Sequence, residues 1–360
     1  MEKIYPKKIS SDKKDLFELL RSESIRFEEN IDTTFAKYEN NKLIATASLY
    51  KNIIKCVAID DNFKGGAIFN ELMTVALNEI ELKGFDGAFV YTKPIYENSF
   101  TAIGFKEIER VEPDLIFMQK SHNDFSKYLE SLSKTKVEGE SIGAVVLNAN
   151  PFTIGHKYLI EYAAKNTSHL HIFVVSEDAS YFTTEDRYNM VKEGVRDLSN
   201  VIIHKTDNYL VSSATFPSYF MDEDKSITKI QAKLDAKIFK YHFSKVLDID
   251  KRFVGTEPND EATRIYNETM KEIFKSKPNP NKPEIVVIPR KKVNEEAISA
   301  SRVRTLLKNG KLENTKDLIP ITSYEYIKKL FSWLILKISN HSPINDLFIV
   351  LNIKLLIISD

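Results

Sequence analysis

Hydrophobic and polar positions follow two rhythms along the 360-residue chain, and the change falls near residue 140. "DKKDLFELLRSE" (12–23) has the spacing of an opening helix. Residues 35–60, "FAKYENNKLIATASLYKNIIKCVAID", alternate as strands around an Asn-Asn turn. A Gly-Gly turn follows, then a helix with Ile68, Leu72, Val75 and Leu77 on its apolar stripe, then another strand. Residues 121–141, "SHNDFSKYLESLSKTKVEGES", are polar and rich in Ser and Lys, with Gly139 as a break. Beyond them come short apolar strands: "SIGAVVLNAN", "HLHIFVVSED", "VIIHKTD", "RFVGTEP" and "EIVVIPR". Helical stretches such as "TEDRYNMVKEGVRDL" and "EATRIYNETMKEIFK" alternate with them. That alternation predicts a parallel sheet with crossover helices, where ligands bind beyond the strand C-termini.

These rhythms predict a mixed α/β domain over 1–120, a linker over 121–141 and a parallel α/β domain over 142–325. The remainder, 326–360, is an apolar tail rich in Ile, Leu, Lys and Asn. None of its apolar runs reaches the ~18 residues of a membrane span, and it reads equally as a docked helix or as translated sequence past the domain's end.

Composition adds exclusions. The chain is 42% hydrophobic and 28% charged, with 51 basic and 51 acidic residues. Zero net charge removes the electrostatic footprint of non-specific nucleic-acid binding. The first residues contain no apolar stretch of the signal-peptide kind. A lone Cys56 in "NIIKCVAID" reads as a buried strand thiol, and the expected compartment is the reducing cytoplasm.

The chemistry concentrates at "NANPFTIGH" (148–156), where an apolar run stops in Asn148, Asn150 and a proline before a helix begins. The first turn of a helix is a ready anion site. Gly155 lets a phosphate approach the backbone, His156 can donate to or protonate a phosphoryl oxygen, and Thr153 adds a hydroxyl. A capping threonine beside a partly buried histidine is the plain alternative. "EEAISASRVRTLLKNG" (295–310) opens another helix after the strand "EIVVIPR". Ser299 and Ser301 are hydroxyls near its start, and Arg302 and Arg304 can grip phosphate in fork geometry. Two such helix starts can hold a triphosphate between them.

These residues carry a resemblance. Thr-x-Gly-His after an apolar strand, with Ile-Ser-x-Ser-x-Val-Arg near the domain's end, resembles the nucleotidylyltransferase superfamily. More narrowly, "NANPFTIGHKYLIEYAA", "FVVSEDASYF", "ATFPSYF", "RFVGTEPND" and "AISASRVR" resemble the citrate lyase ligase family, over about residues 1–325. The resemblance implies a Rossmann-like nucleotidylyltransferase domain that activates acetate with ATP and releases pyrophosphate. The acetyl group then passes to the thiol of the coenzyme-A-like prosthetic group on the acyl-carrier (gamma) subunit of citrate lyase. By position, Thr153, Gly155 and His156 would bind and polarise the ATP phosphates, while Ser299, Ser301 and Arg304 close over them. Gly255 and Glu257 would lie near the nucleotide or merely form a strand-end turn. "SSATFPSYF" (212–220) suits acetate or a packed loop. Arg187 pairs with a neighbouring acid sooner than it reaches phosphate. His169 and His171 alternate along a strand with no further ligands in view, so Mg²⁺ is expected to arrive on the ATP phosphates.

"FKGGA" opening a helix, with "FVYTKPIYENSFTAIGFKEIE" after it, resembles the N-acetyltransferase fold of the Gcn5-related type. There a Gly-rich helix start holds the pyrophosphate of coenzyme A. Gly65, Gly66 and Ala67 (alanine where a second glycine is usual) are thereby candidates for docking the carrier arm, with a plain turn as the alternative. The two signatures lie on opposite sides of the linker, so residues 136–360 are expected to make the adenylate alone.

Overall fold

The computed structural model describes residues 1–176, 180–210, 216–221, 227–256, 261–277, 279, 282–290, 292–293 and 296–340. Elements are numbered along the chain. The chain forms two compact units, one of residues 1–134 with 216–238, the other of 135–215 with 239–360.

The first unit is a seven-stranded sheet: β1 (Glu2–Ile4), β2 (Thr33–Glu39), β3 (Lys42–Tyr50), β4 (Ile53–Ile59), β5 (Gly87–Thr92), β6 (Lys106–Val111) and β7 (Leu115–Ser121). Its order is β1-β2-β3-β4-β5-β7-β6. The predicted Asn-Asn turn joins β2 to β3, with φ of 49° and 63° at Asn40 and Asn41, the left-handed pair that a tight hairpin needs. Every neighbouring pair is antiparallel except β4–β5, which run parallel and pair only at Ile53–Phe89 and Ile54–Val90. A register shift between Thr46 and Ser48, with Cys56 at φ 49°, bends β4 at its middle. Beyond Ile54 and Val90 the two strands therefore part, and a cavity opens between them. The unit is a mixed α/β fold, as expected.

Helices α1 (Ser10–Ser22), α2 (Gly66–Leu82), α3 (Glu97–Ala102) and α4 (Phe125–Ser133) flank the sheet. The stripe of α2 is rotated from the expected one. Leu72, Met73, Ala76 and Ile80 are its buried residues, whereas Ile68, Val75 and Leu77 pack on that cluster's margin. Cys56 is fully buried, and desolvation pushes its thiol up to about 12, so it is a core residue.

The unit boundaries depart from the predicted 1–120 and 142–325. Part of the polar linker is helix α4, capped by Asp124, which accepts from the N–H groups of Ser126 and Lys127, and Phe125 and Leu132 are buried. More consequential is the segment 216–238. Its aromatic residues Phe216, Tyr219 and Phe220 are buried within the first unit. Arg26 holds them by donating to the Ser218 carbonyl at 2.7 Å, and Glu28 accepts from the Ser218 N–H at 3.2 Å. Helix α7 (Ile227–Ile238) follows, and Lys237 donates to the Arg110 carbonyl at 2.6 Å. A cut at residue 136 would strip this segment of its packing partners.

The second unit is an all-parallel sheet of β8 (Ile142–Leu147), β9 (His169–Val174), β10 (Val201–Lys205), β11 (Lys251–Gly255) and β12 (Glu284–Ile288). Crossovers run through α5 (Ile154–Lys165), α6 (Thr184–Gly194), a π-turn leading into α8 (Ser244–Leu247), and α9 (Glu261–Lys275). A short ribbon, β13 (Lys292–Val293) and β14 (Glu296–Ala297), precedes α10 (Ala300–Lys308) and α11 (Ile321–Asn340). The order β10-β9-β8-β11-β12 places the first strand at the centre, and the winding reverses between β8 and β11. In a doubly wound sheet this reversal opens a crevice at the strand C-termini. The fold is a Rossmann-like, doubly wound parallel α/β architecture.

Apolar strand residues Val145, Leu147, Leu170, Ile172 and Phe253 form the core with Ile160, Met190 and Val303. Tyr324, Ile327 and Phe331 of α11 join it, so the part of the predicted tail before residue 334 is a docked helix; residues 341–360 lie outside the described residues. Among the described residues no helix is long and apolar enough to cross a membrane. His171 packs against a neighbouring histidine rather than toward His169. It is buried and shares a 2.8 Å hydrogen bond with His204 on the neighbouring strand.

Candidate active site

Leu147 ends β8, and the chain must then turn sharply into α5. Ala149 takes the left-handed conformation at φ 51°, and the Asn150–Pro151 peptide is cis. Arg187 of α6, fully buried, braces this turn: it donates to the Asn148 carbonyl at 2.7 Å, the Asn148 Oδ1 at 2.8 Å and the Val175 carbonyl at 2.6 Å. It thereby ties the C-terminal ends of β8 and β9 together rather than lying on a solvated face. Asn150 is also buried, and its Oδ1 accepts from the Phe182 N–H at 3.2 Å.

Thr153 caps α5. Its Oγ1 accepts from the His156 N–H at 3.3 Å, and in return the Thr153 N–H donates to His156 Nδ1 at 3.1 Å. Histidine here takes the place a Glu or Gln usually has in a capping box. With Nδ1 accepting, the ring proton of the neutral imidazole sits on Nε2, which becomes a donor. Desolvation, with the Arg290 charge as a second cause, brings the imidazole down to about 4, so it is neutral at physiological pH. Phe152 stacks on the ring with centroids 6.0 Å apart. Phe152 is itself held by Gly194, where an added Cβ would lie 2.3 Å from the Phe152 ring.

The first turn of α5 is less open than its sequence implies. The Ile154 N–H donates to the Leu318 carbonyl at 3.0 Å, and that of His156 goes to the cap. Only the Gly155 N–H in this turn is left without a partner among the described residues. Beside it, an added Cβ would stand 3.6 Å from Ile298 Cβ, so α5 begins against the residue that leads into α10.

Ser299 caps α10 and accepts from the Ser301 N–H at 3.2 Å. Arg304, one turn on, donates to Ser301 Oγ at 2.9 Å and to the Asn150 carbonyl at 2.6 Å. The two helix starts predicted to share a ligand are therefore joined directly. Gly255 ends β11 beside them, its missing Cβ 4.0 Å from Arg290 Cγ. Glu257 and residues 212–215 lie outside the described residues. Sequence reading missed Arg290 and Thr256 altogether. Their one signal was position, since both stand just past a strand of the parallel sheet, at its ligand-binding end.

In the first unit, Gly65 and Gly66 line a cavity of about 460 Å³ with Phe69, Val57, Tyr91 and Tyr219. Helix α2 starts at this wall with no side-chain cap. The N–H groups of Gly66, Ala67 and Ile68 have no partner among the described residues.

An all-parallel sheet whose switch point carries a Thr-Ile-Gly-His helix start, faced by a Ser-x-Ser-x-x-Arg helix start, defines a nucleotidylyltransferase-like ATP-binding unit. Residues 142–327 match the citrate lyase ligase C-terminal domain family. Over 312 residues the chain is 35% identical to [Citrate [pro-3S]-lyase] ligase of Haemophilus influenzae, covering 86% of this chain and 93% of that protein. The Escherichia coli protein of the same name is 36% identical over 318 residues, 88% of this chain and 90% of its own length. A shorter stretch of 104 residues, 28% of this chain, is 30% identical to phosphopantetheine adenylyltransferase of Staphylococcus carnosus and covers 60% of it. The chain belongs to the citrate lyase ligase family.

Proposed function

We propose that this enzyme activates acetate with ATP and passes the acetyl group to the prosthetic thiol on the acyl-carrier (gamma) subunit of citrate lyase. The observation that carries the chemistry is the junction of two helix starts at the sheet's switch point, made by Arg304 on the Asn150 carbonyl. An acetate oxygen attacks the α-phosphorus of ATP, the bond to the bridging oxygen breaks, and pyrophosphate leaves. The carrier thiolate then attacks the acetyl carbon and AMP departs.

The residues divide this work. The Gly155 N–H and His156 Nε2–H donate to phosphoryl oxygens, and Thr153 holds the imidazole in the donating tautomer. A neutral histidine serves as a hydrogen-bond donor here, with no proton to transfer. Ser299, Ser301 and Arg304 close over the triphosphate, and Gly255 leaves room beside it, with Glu257 assigned to the nucleotide by family position. Asn148 and Asn150 fix the turn on which Gly155 rides. ATP enters as its Mg²⁺ complex. Among the described residues no group of three or more His, Cys, Asp or Glu could hold a metal, and the site offers N–H donors and cations, which suit phosphate oxygens.

The first unit receives the carrier arm. The unpartnered N–H groups of Gly66, Ala67 and Ile68 suit its pyrophosphate, and the apolar gap between β4 and β5 suits the pantetheine chain behind it. The whole reaction is assigned to the cytoplasm, where citrate lyase and free ATP would meet it. Acetate-dependent exchange of labelled pyrophosphate into ATP tests the proposal. Exchange without acetate would make the protein a simple adenylyltransferase, and no exchange would reduce it to a nucleotide-binding adaptor.

A further inference from the structure

The cations at the nucleotide end of the second unit are unequally placed. Arg187 is buried and occupied in bracing two strand ends. Arg304 spends donors on Asn150 and Ser301. His156 is neutral. Departing pyrophosphate accumulates negative charge, which fixed positive charge at the leaving end stabilises.

Arg290 is positioned to supply it. It stands two residues past β12, where the strand ends are stapled: the Thr256 N–H donates to the Ile288 carbonyl at 2.9 Å, and the Arg290 N–H to Thr256 Oγ1 at 3.2 Å. This backbone lock directs the side chain over Gly255, whose missing Cβ would sit 4.0 Å from Arg290 Cγ. The guanidinium is half-buried and near enough to His156 for its charge to act on the imidazole.

Resting on the nucleotide reading above, we infer that Arg290 is a catalytic residue that grips the β- and γ-phosphoryl oxygens and neutralises the charge of departing pyrophosphate. A guanidinium fits this task because its fork can bind two oxygens at once. No proton moves to or from Arg290. It acts as fixed charge.

The test uses the full chain with Arg290→Ala and Arg290→Lys, and inorganic pyrophosphate as the probe. Calorimetric pyrophosphate affinity should fall by about tenfold or more in Arg290→Ala, the usual worth of a charge-assisted hydrogen bond, with partial recovery in Arg290→Lys. Pyrophosphate exchange should fall with it, the KM for pyrophosphate rising while that for acetate holds. In Arg290→Ala the His156 imidazole, followed by NMR with isotope-labelled histidine, should titrate closer to its ordinary range. Wild-type pyrophosphate affinity in Arg290→Ala, or an equal rise in both KM values with His156 unmoved, would overturn the assignment. Pyrophosphate binding needs no acetate. Failure of acetate-dependent exchange in the wild type would therefore sink the proposed function and leave the Arg290 result readable.

Discussion

The two helix starts to which the proposed function assigns phosphate are built differently. At α5 the donors are largely consumed: Thr153 and His156 cap each other, Ile154 bonds Leu318, and Gly155 alone in that turn keeps an N–H unpartnered among the described residues. At α2, among the described residues, there is no side-chain cap, three N–H groups stay unpartnered, and nothing lies within 4 Å of a Cβ added at Gly65 or Gly66. Under the proposed roles, the difference follows the demand on each site. Where bonds to phosphorus break, donors must hold fixed positions before charge develops, so the protein spends hydrogen bonds on its own geometry. Where phosphate is only gripped, backbone donors and open space suffice.

The sharpest way to break this comparison is to remove the imidazole. His156→Ala should slow adenylate formation by about 10²–10³-fold, the typical loss of one transition-state donor, with ATP affinity changing less. Because the imidazole titrates near 4, this donor should contribute no break to the pH profile of pyrophosphate exchange between about pH 5.5 and 8. Near-normal turnover in His156→Ala would leave α5 with a merely structural cap.

A smaller effect is expected at the junction. Arg304→Ala should cost about 10–100-fold in exchange, and Arg304→Lys should recover only part, since an ammonium cannot serve both Asn150 and Ser301 as a fork does. Lysine at wild-type rate would show that charge alone matters there.

At α2 the expected loss is about tenfold, and it should appear only in acetyl transfer to the thiol-form carrier, with pyrophosphate exchange unchanged. Gly65→Val is the substitution to use, because Gly65 lies at φ 178°, an extended backbone that valine adopts without strain, in open space. Undiminished transfer by a well-folded variant would mean that the arm docks elsewhere.

The smallest effect concerns acid stability. Desolvation holds His171 and His204 well below the ordinary imidazole range, with the charge of His169 adding at His171 and that of His171 adding at His204. The unfolded chain then binds more protons than the folded one between about pH 6.5 and 4, so stability falls as pH drops through that window. The midpoint of thermal unfolding should fall by a few degrees from pH 7 to 4.5. A His171→Phe, His204→Leu variant should lose less over the same interval, and an equal loss would remove the pair from the explanation.

Much of this was written locally in the chain. Apolar runs ending in polar strings marked the strand ends, Asn40–Asn41 set a hairpin, and Thr-x-Gly-His and Ser-x-Ser-x-x-Arg each stated a helix start with its chemistry. Such features are legible because capping, turn formation and strand alternation depend on residues a few positions apart. What the sequence could not show depends on residues far apart in the chain. Arg187 read as the partner of a neighbouring acid until strands β8 and β9 lay side by side and left carbonyls for it to bind. Residues 216–238 read as part of the nucleotide domain by position, yet their buried aromatics and the Arg26 and Glu28 contacts assign them to the first unit. Arg290 carried no motif, and the pairing of β11 with β12 alone brought it over Gly255 toward His156. Short-range stereochemistry thus determined the elements and the kind of site, while burial and strand order, which sum contacts over the whole fold, decided which charges face the ligand.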